Sequence, residues 1–297
     1  MYRVIGKMTN RKSATLFILP AILVLIIISI VPTIRAVEMS FQNRELRYQT
    51  YQCVGLHNYK ELFSDRRFIN SIKVSASWEV ITVFSTMLIA IFLAIFIFEY
   101  VPLRAKNLMQ ILLILPVIVP RVSAAYIWRY IYSPIIGIIN YVLGLIYIKP
   151  IALLCDPKTA LFSIAVVDIW QWATLFSVII LGILESLPSE PIEAARVDGA
   201  NNWQVHRYIV FPSILSPLLS LAFVKMVESL RSFDLIYIMT EGGPGISTET
   251  LDLYAYTTGI GLVGRISYAS SMAVLMLVGT IISFAIVWRL CQGWSLK

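Results

Sequence analysis

Long apolar runs separated by polar stretches organise this chain. A helix crosses the hydrocarbon core of a bilayer with about 20 mostly apolar residues. Six stretches have that character: 13–34, 72–98, 108–132, 160–184, 214–239 and 266–288. The first and last carry no charge. The second has Lys73 and Glu79 near one end, and the third contains Pro116, Pro120 and Arg121. The fourth contains Asp168, and the fifth contains Lys225, Glu228, Arg231 and Asp234. In lipid a backbone must satisfy its own polar groups, so each run predicts a helix. The pattern therefore predicts an all-α, polytopic membrane protein with six transmembrane helices. They form one domain over 13–297, preceded by a segment 1–12.

Composition points the same way. The chain has 297 residues, 58% of them hydrophobic and 14% charged, with a mean hydropathy of +0.79. A soluble domain is about 45–50% apolar and about 25% charged, and one of this size has no means of hiding so much apolar surface. Soluble enzymes and nucleic-acid binders drop out. The net charge of +7 fits contact with anionic lipid. Two His and three Cys suggest neither a metal cluster nor a disulfide framework. Cys53 and Cys155 fall outside the runs and are expected to stay unpaired, and Cys291 reads as a small apolar filler. No phosphate-cradling G-x-x-x-x-G-K-[ST], zinc-binding H-E-x-x-H or G-x-S-x-G elbow is present. Any ATP and Mg used must sit on another chain.

Arg3, Lys7, Arg11 and Lys12 precede the first run, which is too long for a signal-peptide core and lacks an A-x-A site. It is expected to be an uncleaved anchor with a cytoplasmic N-terminus. The next stretch, 35–71, is itself rich in Lys and Arg, so orientation rests on the first helix. An even number of spans puts both termini in the cytoplasm. Stretches 35–71, 133–159 and 240–265 then lie outside, and 185–213 lies inside.

The inner stretch is the most informative. Ser189 suits an N-cap, Pro191 a first helical turn, and Glu190 and Glu193 favour the positive end of the helix dipole. Gly199 suits the left-handed residue that ends a helix. A second short helix is expected to begin after Asn201 or Asn202 and stop before Pro212. Ile192, Ala195, Trp203, Tyr208 and Ile209 give this helix–turn–helix an apolar surface. That surface fits a docking face for a partner or a helix lying on lipid, and the residues alone leave both open.

Charged residues inside a span are costly and point to function. Lys225, Glu228, Arg231 and Asp234 recur every three residues, and two opposite-charge i,i+3 pairs are expected, Lys225–Glu228 and Arg231–Asp234. They read either as self-neutralising pairs or as a polar stripe along a solute path, with Ser229 and Ser232 beside it. Asp168, Gln171 and Trp172 form a second polar and aromatic group.

The inner stretch resembles a known family, the membrane subunits of binding-protein-dependent ABC importers of the sugar type, such as the maltose and glycerol-3-phosphate transporters. The match is Glu193-Ala194-Ala195, then Asp198-Gly199-Ala200, Trp203 and Phe211-Pro212. Further agreement lies at Val54-Gly55-Leu56-His57-Asn58-Tyr59, Leu115-Pro116, Trp128, Gly137-Ile138-Ile139-Asn140, Thr240-Glu241-Gly242-Gly243-Pro244 and Tyr268-Ala269-Ser270. His206 stands where the family commonly has Phe, and Phe211 where it has Leu.

The resemblance implies an ABC importer type I permease fold in a bacterial or archaeal inner membrane. It implies a second permease as heterodimer partner, two ATPase subunits carrying ATP and Mg, and an extracytoplasmic solute-binding protein. The stretch 185–213 would be the coupling loop, with Glu193, Ala194, Ala195, Asp198, Gly199, Trp203 and Pro212 serving contact with the ATPase. In the resembling maltose transporter the sugar sits between the helices flanking that loop. This makes Asp168, Gln171, Trp172, Lys225, Glu228, Ser229 and Ser232 candidates for the solute path. Two alternatives stay open: an importer for a non-sugar solute, and a proton-coupled secondary transporter using Asp168 and Glu228.

Overall fold

The computed structural model describes residues 2–48, 51–261 and 263–295. They form helices α1 (Tyr2–Ser40), α2 (His57–Ser64), α3 (Arg66–Tyr100), α4 (Leu103–Ile118), α5 (Arg121–Ile131) and α6 (Ile138–Leu145). There follow α7 (Ala160–Glu185), α8 (Glu190–Val197), α9 (Asn202–Val205), α10 (Phe211–Ser229), α11 (Phe233–Thr240), α12 (Leu251–Tyr256) and α13 (Ile266–Ser295). Two stretches, His206–Val210 and Thr257–Gly261, are π-helical. Among the described residues the sole strand-like pairing is an isolated bridge between Gln42 and Cys53. Cys53 and Cys155 are both free and exposed; the side chains of Arg3, Lys7, Arg11, Lys12 and Cys291 lie outside the described residues.

Five helices are long and apolar enough to span a membrane, and a bent pair, α4 with α5, makes up to six. The protein is a multi-pass membrane protein. Two of the expected spans have a different form. The run 108–132 is not one helix: α4 and α5 meet at 91°. Pro120 lacks the N–H that would bond the Pro116 carbonyl and disfavours helical geometry at Val119, so the ladder stops there; Val119 is extended at φ −68°, ψ 120°. The run 214–239 is also broken, by a turn at 230–232 that separates α10 from α11.

The chain forms two compact units, Met1–Asp65 with Ala255–Leu277, and Arg66–Tyr254 with Val278–Lys297. In the first, none of the apolar window of Phe17–Ser40 is buried within the chain. The end of α1 is held by α2: buried Asn58 donates from Nδ2 to the carbonyls of Ser40 at 2.8 Å and Gln42 at 2.7 Å. The Ser40 carbonyl is one that a helix end leaves without an intrahelical partner. Leu46 N–H donates to Gly264 O at 2.8 Å, and Ser267 N–H to Arg44 O at 3.1 Å.

The second unit is built around α7, whose apolar window is 61% buried. Helix α3 packs along it. Its buried positions, Val74, Trp78, Thr82, Thr86, Ala90 and Ala94, recur every fourth residue and draw one face. Four of them are small, which lets helix backbones approach closely where lipid supplies no hydrophobic drive. One apolar cluster gathers Ala90, Ala94, Ile97, Phe176, Ile180, Leu184, Val205, Val210 and Ile214. It ties the adjoining ends of α3, α7 and α10 to the stretch between α7 and α10.

Candidate functional site

The stretch 185–213 is a capped connector that exposes both apolar and charged side chains. Helix α8 ends in a Schellman motif. Gly199 N–H donates to Arg196 O at 3.1 Å and Ala200 N–H to Ala195 O at 2.9 Å. Gly199 has φ +85°, and a Cβ there would meet nothing within 4 Å. Glycine is needed for its backbone alone. Helix α9 begins with a capping box: Gln204 N–H donates to Asn201 Oδ1 at 2.9 Å, and Asn201 N–H to Gln204 Oε1 at 2.8 Å. Ile192, Ala195 and Ala200 pack on the apolar cluster beneath, while Val197, Trp203 and Tyr208 are 87%, 72% and 73% exposed. Glu193, Ala194, Asp198 and Pro212 are exposed too.

Two sequence expectations change here. Ser189 makes no side-chain cap, because its backbone is already helical at φ −76°, ψ −25°; its carbonyl accepts from Glu193 N–H at 2.9 Å. The second helix does not stop before Pro212. It widens into the π-helical stretch, with Phe211 N–H bonded to His206 O, and continues as α10. Wider i→i+5 bonding accommodates the missing N–H of Pro212 in an unbroken rod. His206, which stands where the family commonly has Phe, turns toward α3. Its Nε2 lies 3.2 Å from Glu99 Oε1 at the end of α3.

A chain of ion pairs joins α5, α7 and α10. Lys225 Nζ donates to Asp168 Oδ2 at 2.5 Å. Arg121 Nη2 donates to Asp168 Oδ1 at 3.0 Å, and its Nη1 to Glu228 Oε1 at 3.0 Å. Neither Lys225 nor Asp168 exposes any side-chain surface. The Lys225 ammonium also sits 5.5 Å from the centroid of the Trp172 ring. The expected pair Lys225–Glu228 is therefore replaced by partners on other helices. Arg231 is exposed in the break after α10 and Asp234 is exposed beyond it, on α11.

The structure brings Asp168, Trp172, Lys225, Glu228 and Ser229 together. Ser229 Oγ shares a 2.6 Å hydrogen bond with Thr82, and its carbonyl accepts from Trp78 Nε1 at 3.1 Å. Ser232 is buried in the turn between α10 and α11. Gln171 has a specific structural task. Its Nε2 donates to Pro116 O at 3.2 Å and Val119 O at 2.9 Å, replacing bonds that the Pro120 break removes. Sequence reasoning missed Arg121 as the centre of the network and Glu79 as its neighbour. Both were visible as charges inside apolar runs.

The family described as binding-protein-dependent transport system inner membrane component matches residues 86–292. A probable ABC transporter permease protein of Pyrococcus horikoshii is 32% identical over 265 residues, covering 88% of this chain and 89% of that protein. The trehalose/maltose transport system permease protein MalF of Thermococcus litoralis is 28% identical over 283 residues, covering 95% and 94%. A bacterial ABC transporter involved in import of the acidic polysaccharide alginate contains a chain of the same fold. It aligns with a TM-score of 0.85 at 22% identity, covering 98% of both chains. A matched region running from α3 through the stretch 185–213 into α13 leaves one assignment: the chain belongs to the family of inner membrane components of binding-protein-dependent transport systems.

Proposed function

We propose that this chain is one of two permease subunits of an ATP-driven importer. With a second, different permease it forms the path for a sugar or sugar-like solute handed over by an extracytoplasmic binding protein. Both termini and the stretch 185–213 lie in the cytoplasm of a bacterial or archaeal cell. ATP and Mg bind to two separate ATPase subunits. The sugar class is supported by the names of relatives that handle trehalose, maltose or alginate.

One observation carries the reading. The stretch between α7 and α10 is capped at its turn by Gly199 and boxed at Asn201. It is packed on the helices beneath and exposes Val197, Trp203 and Tyr208. A rigid element with exposed apolar side chains suits a groove on a moving partner. Motion of an ATPase would pass through α8 and α9 into α7 and α10, the two helices whose Asp168 and Lys225 are joined. Glu193, Ala194, Ala195, Asp198 and Pro212 complete the docking face.

The test is purification of the tagged chain from cells that also express the ATPase and second permease. The ATPase should be retained by the wild type and lost from Trp203→Glu. ATP turnover by the isolated chain would overturn the reading. Proton coupling through Asp168 and Glu228 gains no support, since each carboxylate is held by a cation.

A further inference from the structure

Helix α6 is inside out for a helix in water. Its exposed side chains include Ile138, Tyr141, Val142 and Leu145, spaced i, i+3, i+4 and i+7, the stripe that a soluble helix buries. Its buried residue is polar. Asn140 Nδ2 donates to Ser133 O at 3.3 Å and Ile151 O at 3.0 Å, and its Oδ1 accepts from Ile151 N–H at 2.7 Å. Those bonds close 133–151 into a loop, and Ile139 packs it on the apolar cluster that contains Tyr132 and Ile164. The apolar exterior is therefore held in place. It continues on both flanks, at Ile135 and Ile136 before the helix and at Ile146 and Ile148 after it.

Tyr147 supplies a second observation. Helix α6 ends in a Schellman motif, with Ile148 N–H donating to Leu143 O at 3.0 Å and Tyr147 N–H to Gly144 O at 3.1 Å. The left-handed position is thus filled by Tyr147, at φ +60°, where glycine would be unstrained and a bulky residue is an outlier. Its side chain is 99% exposed, so contacts within the chain do not offset that cost. A surface outside the chain must.

Charge narrows the choice of surface. Residues 132–151 include no Asp or Glu and one cation, Lys149, which is exposed. The loop joins α5 to the spanning helix α7, and its apolar face extends that of α5 at Tyr126, Ile127 and Tyr130. Tyrosines gather at membrane–water interfaces, and a lysine stem reaches from apolar depth to the lipid headgroups. A soluble partner that comes and goes would leave so apolar a surface in water between visits. Contacts between membrane subunits favour small residues, whereas this stripe is built of Ile, Val, Leu and Tyr.

We propose that α6 and its flanks lie in the membrane–water interface, at the end of α7 opposite the stretch 185–213. The stripe and Tyr147 enter the boundary between headgroups and acyl chains, and this lipid anchor holds the adjoining end of α5. The inference depends on neither the solute nor the ATPase.

The test uses the complete transporter in vesicles of phosphatidylcholine and phosphatidylglycerol. Cys53, Cys155 and Cys291 are replaced by Ser, and one introduced Cys carries a nitroxide label. Collisions with oxygen, which concentrates in lipid, are compared with collisions with a water-soluble nickel complex. Labels at Tyr141→Cys, Leu145→Cys and Tyr147→Cys should meet oxygen severalfold more often than nickel, at a depth of about 5–10 Å, with or without the binding protein. The label at Lys158→Cys, exposed beyond the patch, should show the reverse. Nickel contact along the stripe equal to that at Lys158→Cys would put α6 in water and overturn the inference. Low collision with both reagents would put it under another protein and overturn it too, as would protection that appears only when the binding protein is added. If Tyr147→Cys does not assemble, Val142→Cys on the same stripe decides.

Discussion

Lys225 on α10 donates to Asp168 on α7 across 2.5 Å, with no side-chain surface of either residue exposed. Two charges removed from solvent hold the helices on either side of the stretch 185–213. Removing one partner of a buried pair leaves an uncompensated charge, which costs about 3–5 kcal/mol, whereas replacing both by neutral groups of similar size is often close to neutral. Asp168→Asn should therefore lower the thermal unfolding temperature of the detergent-solubilised protein markedly. The double variant Asp168→Asn with Lys225→Met should recover much of the loss, since Arg121 keeps Glu228. A double variant no better than the single one would assign the cost to Arg121 instead.

Gly199→Val should impair coupling through backbone strain alone. At φ +85° with open space around the Cβ position, the penalty is that of a side chain in the left-handed region, about 1–2 kcal/mol. Asn enters that region more readily, so Gly199→Asn should keep more activity than Gly199→Val. The measurement is ATPase stimulation by the solute-loaded binding protein in the assembled transporter. Equal loss in both variants would point to the side chain's volume at a docked surface rather than to the turn.

What could be read from the sequence divides along a physical line. The turn at Gly199 and the helix start at Asn202 were legible because their causes lie within a few residues: Pro191, Gly199 and the Asn201–Gln204 box act through their own backbone. Partner choice within the membrane was not legible. Lys225 and Glu228 are one turn apart, and spacing pairs them. In the fold Lys225 reaches Asp168 and Glu228 meets Arg121, because α5 and α7 bring opposite charges to each side. The 91° bend between α4 and α5 was foreshadowed by Pro116 and Pro120. That Gln171 satisfies the carbonyls it frees depends on α7 lying alongside.

Gln171→Leu tests that arrangement. The Pro116 and Val119 carbonyls would lose the donor that now reaches them at 3.2 Å and 2.9 Å. An unsatisfied buried carbonyl costs about 1–3 kcal/mol. The variant should unfold at lower temperature in detergent, and amide exchange should rise around 116–124 before it rises elsewhere. Uniform exchange along the chain would mean that the break is held by packing and not by Gln171.

The last prediction concerns the first unit, outside the spans. Arg265 donates to both carboxylate oxygens of Glu61, at 2.7 Å and 2.6 Å, and its guanidinium lies 4.2 Å from the Tyr268 ring centroid. The hydrogen bond from Arg265 is the main cause that holds the Glu61 carboxyl below its ordinary value of 4.5, with burial opposing it. A carboxylate whose pKa is lower folded than unfolded stabilises the fold fully above the unfolded value, and the effect is lost as pH falls through the folded one. Arg265 stays charged throughout this range. Glu61→Gln should therefore weaken the link between α2 and the start of α13 at pH 7, with faster amide exchange at Leu46 and Ser267, whose bonds flank Arg265. The difference from wild type should hold down to about pH 4.5 and shrink as pH falls further below the ordinary carboxylate range. Part of both side chains meets solvent, so salt should also reduce it. A difference that persists unchanged at the lowest pH would show that Glu61 acts there by packing rather than by charge.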